Sequence, residues 1–203
     1  MAKIFTTDFT KSFLDELAAY IDREYLAKGR SLDRLAIVFG GKRPEHFFKR
    51  ILARKLKKSF LPPVFFTIDD FMAKLAETTG PLKPASDLDS RFELFRLAQK
   101  LEPDLLLGRE TFSKFLPWAG EILDFINQLD LENVSAASLQ NIQDSARIGY
   151  PVPDNINRLL QKVLNLREAF HAALEVKGKA SRGLRYLRAA QNVGAWPALE
   201  FDE

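Results

Sequence analysis

Cysteine is absent from this 203-residue chain, which excludes disulfide frameworks, thiol nucleophiles and Cys-ligated zinc. The absence is compatible with the cytoplasm, the compartment expected for this chain. Histidine is scarce. His46 and His171 each lack a spaced partner for a metal or a nucleophilic triad, so both are read as structural or surface residues and no metal site is expected. No apolar run approaches the roughly 18 residues of a membrane span, so no membrane partner is expected. Met1-Ala2-Lys3-Ile4-Phe5 runs straight into polar residues rather than into the apolar stretch of a signal peptide. Net charge is only +3, so the chain is no polycation, and any nucleic-acid role must come from clustering. Internal repeats and low-complexity segments are lacking as well.

What is present is apolar content of 46 % and 17 phenylalanines, enough for the core of one domain or two small ones. Residues 3–7 read as a first short strand. A helix follows from Phe13 to Tyr25, with Leu14, Leu17, Ala18 and Ile21 at helical spacing and Gly29 after it. Residues 35–39 read as a buried strand, and Gly40-Gly41-Lys42-Arg43-Pro44 turns into a basic helix. Residues 63–68 read as another strand, and Asp69 and Asp70 as the cap of a further helix at 71–76. Strand, turn, helix and strand make a βαβ unit, which builds parallel sheet. In open α/β sheets, ligands bind outside the carboxyl ends of the strands.

Residues 78–84 hold two prolines and a glycine and break the pattern. Beyond Pro84 strand signals vanish. Amphipathic helices are expected at 87–101, 110–129, 155–174 and 181–190, with a short one from Ser135 through Ile142. Phe92, Phe95, Ala98 and Leu101 line up on the first of these, and Trp118 with the phenylalanine stripes reads as core. Residues 195–203 approach another strand, so the chain is expected to be an N-terminal fragment.

Several constellations invite chemical readings. A phosphate-binding loop needs glycines followed by Lys-Ser/Thr. Lys11 and Ser12 occupy the last two positions between a first strand and helix, but Phe5 and Thr10 stand where glycines are required, and Asp8 would repel a triphosphate. An ordinary helix-capping loop is the simpler reading, with no nucleotide or other cofactor bound. A working P-loop enzyme is a third, weaker option. A metal-nuclease match exists in Pro153-Asp154 and Glu175-Val176-Lys177. Both carboxylates, however, fall at the ends of one helical run, and Asp154 reads as its cap. No catalytic residue is assigned, and Asp69-Asp70 reads as a helix cap rather than a Mg²⁺ pair.

The basic helix is the remaining candidate. Phe47, Phe48, Ile51, Leu52 and Leu56 are expected to form its buried side, with the Lys55 stem packed among them and its amine at the surface. Lys42, Arg43, Lys49, Arg50, Arg54, Lys57 and Lys58 could hold backbone phosphates without reading sequence. They could equally form an ordinary solvated cationic face.

In their order, these segments resemble the N-terminal part of the AddB/RexB-type subunits, bacterial recombination proteins with an inactivated UvrD-like helicase region ahead of a Pro-Asp-(Asp/Glu)-x-Lys nuclease. Residues 3–17 resemble the degenerate nucleotide-loop strand and helix. Residues 35–50, through Gly40, Gly41, Lys42 and Arg43, are similar to the helicase segment that touches single-stranded DNA. Residues 61–71 resemble the next strand and helix. Residues 115–127, with Trp118 and then Asp130, resemble the helix that opens the helical insertion.

The resemblance implies an α/β fold that is helix-dominated overall, a partial RecA-like parallel sheet with a large all-helical insertion. Residues 1–84 would be the RecA-like segment, 85–192 the insertion and 193–203 a return toward the sheet. It implies a non-catalytic DNA-guiding or scaffolding role in double-strand-break repair. The partners would be single-stranded DNA, bound weakly and without sequence preference, the parent chain's other domains, and a helicase-nuclease partner subunit. Because the glycine loop is missing, ATP hydrolysis is not implied. The alternative is a helical protein-interaction module on an α/β base with no nucleic-acid role.

Overall fold

A computed structural model describes residues 4–57, 59–77, 80–139, 154–194 and 201. They form a helix-dominated protein with a small parallel sheet. The chain divides into two compact units, Met1–Phe71 with Trp196–Glu203, and Met72–Ala195. The boundary expected at residue 84 lies inside the second unit.

In the first unit, α1 spans Phe13–Glu24, β1 Ala36–Phe39, α2 Arg43–Leu56 and β2 Val64–Thr67, and α3 starts at Ile68 and runs to Ala76. β1 and β2 pair in parallel, with Ala36 opposite Val64 and Phe39 opposite Thr67. The βαβ unit read from the sequence is therefore formed. Along β1, Ile37 and Phe39 are buried and Val38 is exposed, the alternation of a strand with one covered face. Ile37 and Phe39 meet Ala18 and Ile21 of α1 and Phe48 and Leu52 of α2. The rings of Phe39, Phe48 and Phe65 pack around one another with centroids 6.2 Å apart. The ring of Phe201 lies edge-on to Phe66 at 5.8 Å.

The first strand expected at residues 3–7 does not form among the described residues. Residues 4–7 are irregular and Ile4 is 91 % exposed. β-propensity without a partner strand leaves backbone donors to water. Thr67 rather than an aspartate caps α3. Its hydroxyl accepts the Asp70 N–H at 3.1 Å and donates to the Asp70 carboxylate at 2.7 Å.

The second unit is a helical bundle. Its helices are α4 (Asp87–Leu101), α5 (Phe112–Leu131), α6 (Asp154–Val176) and α7 (Arg182–Gln191). Leu94, Phe95, Phe115, Ile126, Leu166 and Phe170 are among its core residues. Ser86 and Ser181 cap α4 and α7 by accepting the N–H of Asp89 and Leu184. Residues 136–139 are helical, and the rest of the short helix expected through Ile142 lies outside the described residues.

Two expectations fail here. A strand does occur beyond Pro84: β4 (Lys179–Ala180) pairs in parallel with β3 (Lys83–Pro84). Pro84 is tolerated because the donors are its neighbours. Lys83 N–H reaches the Gly178 carbonyl and Ala85 N–H reaches the Ala180 carbonyl, both at 2.9 Å. Trp118 is not core but 39 % exposed, with the Arg109 guanidinium 4.4 Å above its ring. Phe92 and Leu101 likewise sit at the surface, while Phe95 and Ala98 are buried. Among the described residues no helix is long and apolar enough to cross a membrane.

Candidate nucleic-acid interface

The cationic segment begins where β1 ends. Gly40 and Gly41 carry the chain into α2, with Pro44 in its first turn, where a fixed φ and a missing N–H cost nothing. Lys42 is the N-cap residue but makes no side-chain cap. Lys42 and Arg43 thus add positive charge at the helix end whose unsatisfied N–H groups are already positive. Glu45 in the first turn and Arg54 and Lys55 in the last have the favourable sense. Lys57 closes the helix in the left-handed conformation at φ 50°, its N–H on the Ala53 carbonyl.

The cations sort into two groups. Arg43, Arg50, Arg54 and Lys57 recur at i, i+7, i+11 and i+14, which returns them to one side of the helix. All four are exposed, as is Lys42 beside them, and none has an ion-pair partner among the described residues. From Arg43 to Lys57 the stripe covers about 21 Å of helix axis at 1.5 Å per residue.

The other two cations are engaged. Lys49 pairs with Glu45 at 2.6 Å, and its ammonium lies 5.0 Å from the Phe65 ring centroid. Lys55 reaches Asp22 of α1 at 3.4 Å, so its amine serves packing between helices. Lys58 lies outside the described residues. One apolar residue was expected on the wrong side: Phe47 is 56 % exposed, while Phe48 and Leu52 carry the buried side. Phe47 lies about 40° around the helix from Arg43 and about 140° from Leu52, so the stripe claims it.

The strand ends themselves are of mixed sign. Past the paired ends Phe39 and Thr67, the chain carries Lys42 three residues after β1 and Asp69 and Asp70 two and three residues after β2. The positive surface is therefore the outer side of α2 and not the sheet edge.

The Lys11-Ser12 segment is a capping loop. The Asp8 carboxylate accepts the Thr10 N–H at 2.8 Å, and Ser12 caps α1 by accepting from Asp15 at 3.4 Å. The Thr10 hydrogen bonds hold the Asp8 carboxyl below its usual range, which keeps a negative charge in this loop. A cavity of about 440 Å³ between the loop and α1 is lined by Phe5, Asp8, Lys11, Phe13, Glu16 and Tyr20. Carboxylates and cations alternate there, which suits no polyanion.

Asp154 opens α6 and Glu175 lies in its last turn, on the order of 30 Å apart along one helix, so the two cannot share an ion. Glu175 pairs instead with Arg188, and Lys177 with Glu93. His46 is exposed.

One polar cluster went unread in the sequence. Asp130 is 1 % exposed at the end of α5. One carboxylate oxygen accepts the Arg167 Nε–H at 2.7 Å and the other lies 2.8 Å from His171 Nε2. Arg167 also donates to the Val134 carbonyl at 2.9 Å. The available signal was the i, i+4 spacing of Arg167 and His171, which sets both on one face of α6. Every group in the cluster has a partner, and it clamps the end of α5 to α6. Among the described residues no group of acids and histidines is arranged to hold a metal ion. Comparison with family models, with curated proteins and with solved structures found no match to this chain.

Proposed function

We propose that this chain is the non-catalytic, helicase-like N-terminal segment of a DNA double-strand-break-repair exonuclease subunit of the AddB/RexB type, and that it guides single-stranded DNA. In this reading the parallel β1–α2–β2 unit is what remains of a RecA-like sheet, and the helices of the second unit are its insertion. The observation that carries the reading is the stripe of Arg43, Arg50, Arg54 and Lys57, with Lys42 beside it, on one side of α2 and without ion-pair partners among the described residues. Such a surface matches a phosphate backbone and reads no sequence. Phe5 and Thr10 at the two glycine positions and the ionised Asp8 argue against nucleotide hydrolysis.

The second reading, a protein-interaction module, draws on the exposure of Ile4 and Phe9, at 91 % and 107 %. A fluorescence-anisotropy titration with labelled single-stranded DNA at two salt concentrations separates the two. The DNA reading expects micromolar or weaker binding at physiological salt. The log–log salt slope should be about −3 for four or five neutralised phosphates. Replacing Lys42, Arg50 and Arg54 together by Gln should flatten that slope to about −1 without unfolding the chain. No binding at low salt, or an unchanged slope in the triple variant, favours the interaction module.

A further inference from the structure

An aromatic ring stands inside the cationic stripe. Phe47 is 56 % exposed although Phe48 beside it is fully buried. On α2 its nearest surface neighbours are Arg43 at i−4 and Arg50 at i+3, with Arg54 one turn further at i+7. No ring contact engages Phe47 among the described residues, whereas Phe39, Phe48 and Phe65 pack on one another. A solvated phenylalanine flanked by exposed guanidinium groups, without ion-pair partners among the described residues, is a poor surface for water. It suits a ligand that is anionic along one edge and flat and apolar along the other.

We propose that Phe47 is a base-stacking platform, so that α2 holds single-stranded DNA by a base as well as by phosphates. This deepens the reading of the stripe and rests on it. The charge complementarity fixes the occupant: the cations take phosphates, and an unpaired base offers its face to the ring. A duplex hides its base faces, so the ring contributes nothing there. Stacking is tolerant of sequence because every base has such a face, which fits a surface with no base-edge readers.

The test uses the full 203-residue chain with two labelled oligomers of equal length, oligo(dT) and an oligomer of abasic sites on the same backbone. Wild type should bind oligo(dT) about five-fold or more tighter than the abasic oligomer, the lower end for one stacked base. Phe47→Leu should lose that difference and keep the abasic affinity, and Phe47→Trp should restore it. Circular dichroism of Phe47→Leu should match wild type, because the residue lies outside the core. Equal wild-type binding to both oligomers overturns the platform and leaves the phosphate stripe standing. Equal losses on both oligomers in Phe47→Leu overturn it too, because the ring then acts on the backbone or the fold. Failure of wild type to bind either oligomer overturns the stripe and the platform together.

Discussion

Replacing Asp130 by alanine should cost the second unit a large share of its stability. The carboxylate is fully enclosed and satisfies two partners, Arg167 at 2.7 Å and His171 at 2.8 Å. The Arg167 side chain is itself only 8 % exposed, and with Asp130 gone its remaining hydrogen-bond partner among the described residues is the Val134 carbonyl. A buried guanidinium without its counter-charge costs about 3–5 kcal/mol. The whole stability of a domain is about 5–15 kcal/mol, so the loss is a large share. Urea unfolding followed by far-ultraviolet circular dichroism reports it, because the second unit is helical. The midpoint should fall with little change in slope.

Two controls assign the cause. Lys177→Ala breaks an ion pair to Glu93 of similar length, 2.6 Å, but with the lysine 46 % exposed, and should cost no more than about 1 kcal/mol. Arg167→Met in the Asp130→Ala background removes the orphaned charge, and the double variant should be more stable than Asp130→Ala alone. An Asp130→Ala loss below about 1 kcal/mol, or a double variant less stable than the single, would refute the clamp.

Three other outcomes are expected. Gly183→Ala should destabilise, because the new Cβ would lie 2.7 Å from Asp130 Cβ and 2.9 Å from the Asn127 Cα, where α7 crosses α5. Overpacking of about 1–3 kcal/mol outweighs the roughly 1 kcal/mol that alanine adds to a helix, and a melting temperature at or above wild type would contradict this. Hydrogen bonds from Lys28 and then Arg23 draw the Glu24 carboxyl from 4.5 to about 2. Its folded value is depressed, so its contribution is present above the ordinary value and is lost as pH falls toward 2. An NMR titration of the Glu24 carboxyl carbon should show a low midpoint that rises in Lys28→Ala, and a midpoint unmoved by that change would sink the assignment. Finally, calorimetry with Mg²⁺ and ATP should show no tight binding, since side chains at Phe5 and Thr10 and the ionised Asp8 oppose a triphosphate; tight binding would reopen the P-loop reading.

The cations of the proposed interface were legible as a cluster, because they sit close together in the sequence. Which of them are available was not. Lys49 is drawn off by Glu45 and the Phe65 ring, and Lys55 by Asp22 on a different helix. Phe47 and Phe48 are neighbours of identical chemistry, and a pattern that counts apolar residues assigns both to the core. Helical rotation of about 100° per residue separates them, and only the position of the covering elements says which one is buried.

The sequence by itself determined the elements whose hydrogen bonds are local. The helices α1, α4, α5, α6 and α7 lie within a few residues of their expected ranges, because the 3.6-residue period and the capping serines act within a turn or two. It also determined the β1–α2–β2 unit, whose strands lie at the two ends of one short crossover. Tertiary structure alone decided the contacts between distant positions. Asp130 meets Arg167 and His171 from 37 and 41 residues away, and β3 finds β4 across most of the bundle's sequence. It decided the surface too: residues 4–7 found no strand partner, and Trp118 took an arginine in place of a core. Pairing, burial and charge neutralisation depend on what lies opposite in space, and no short window of sequence contains that.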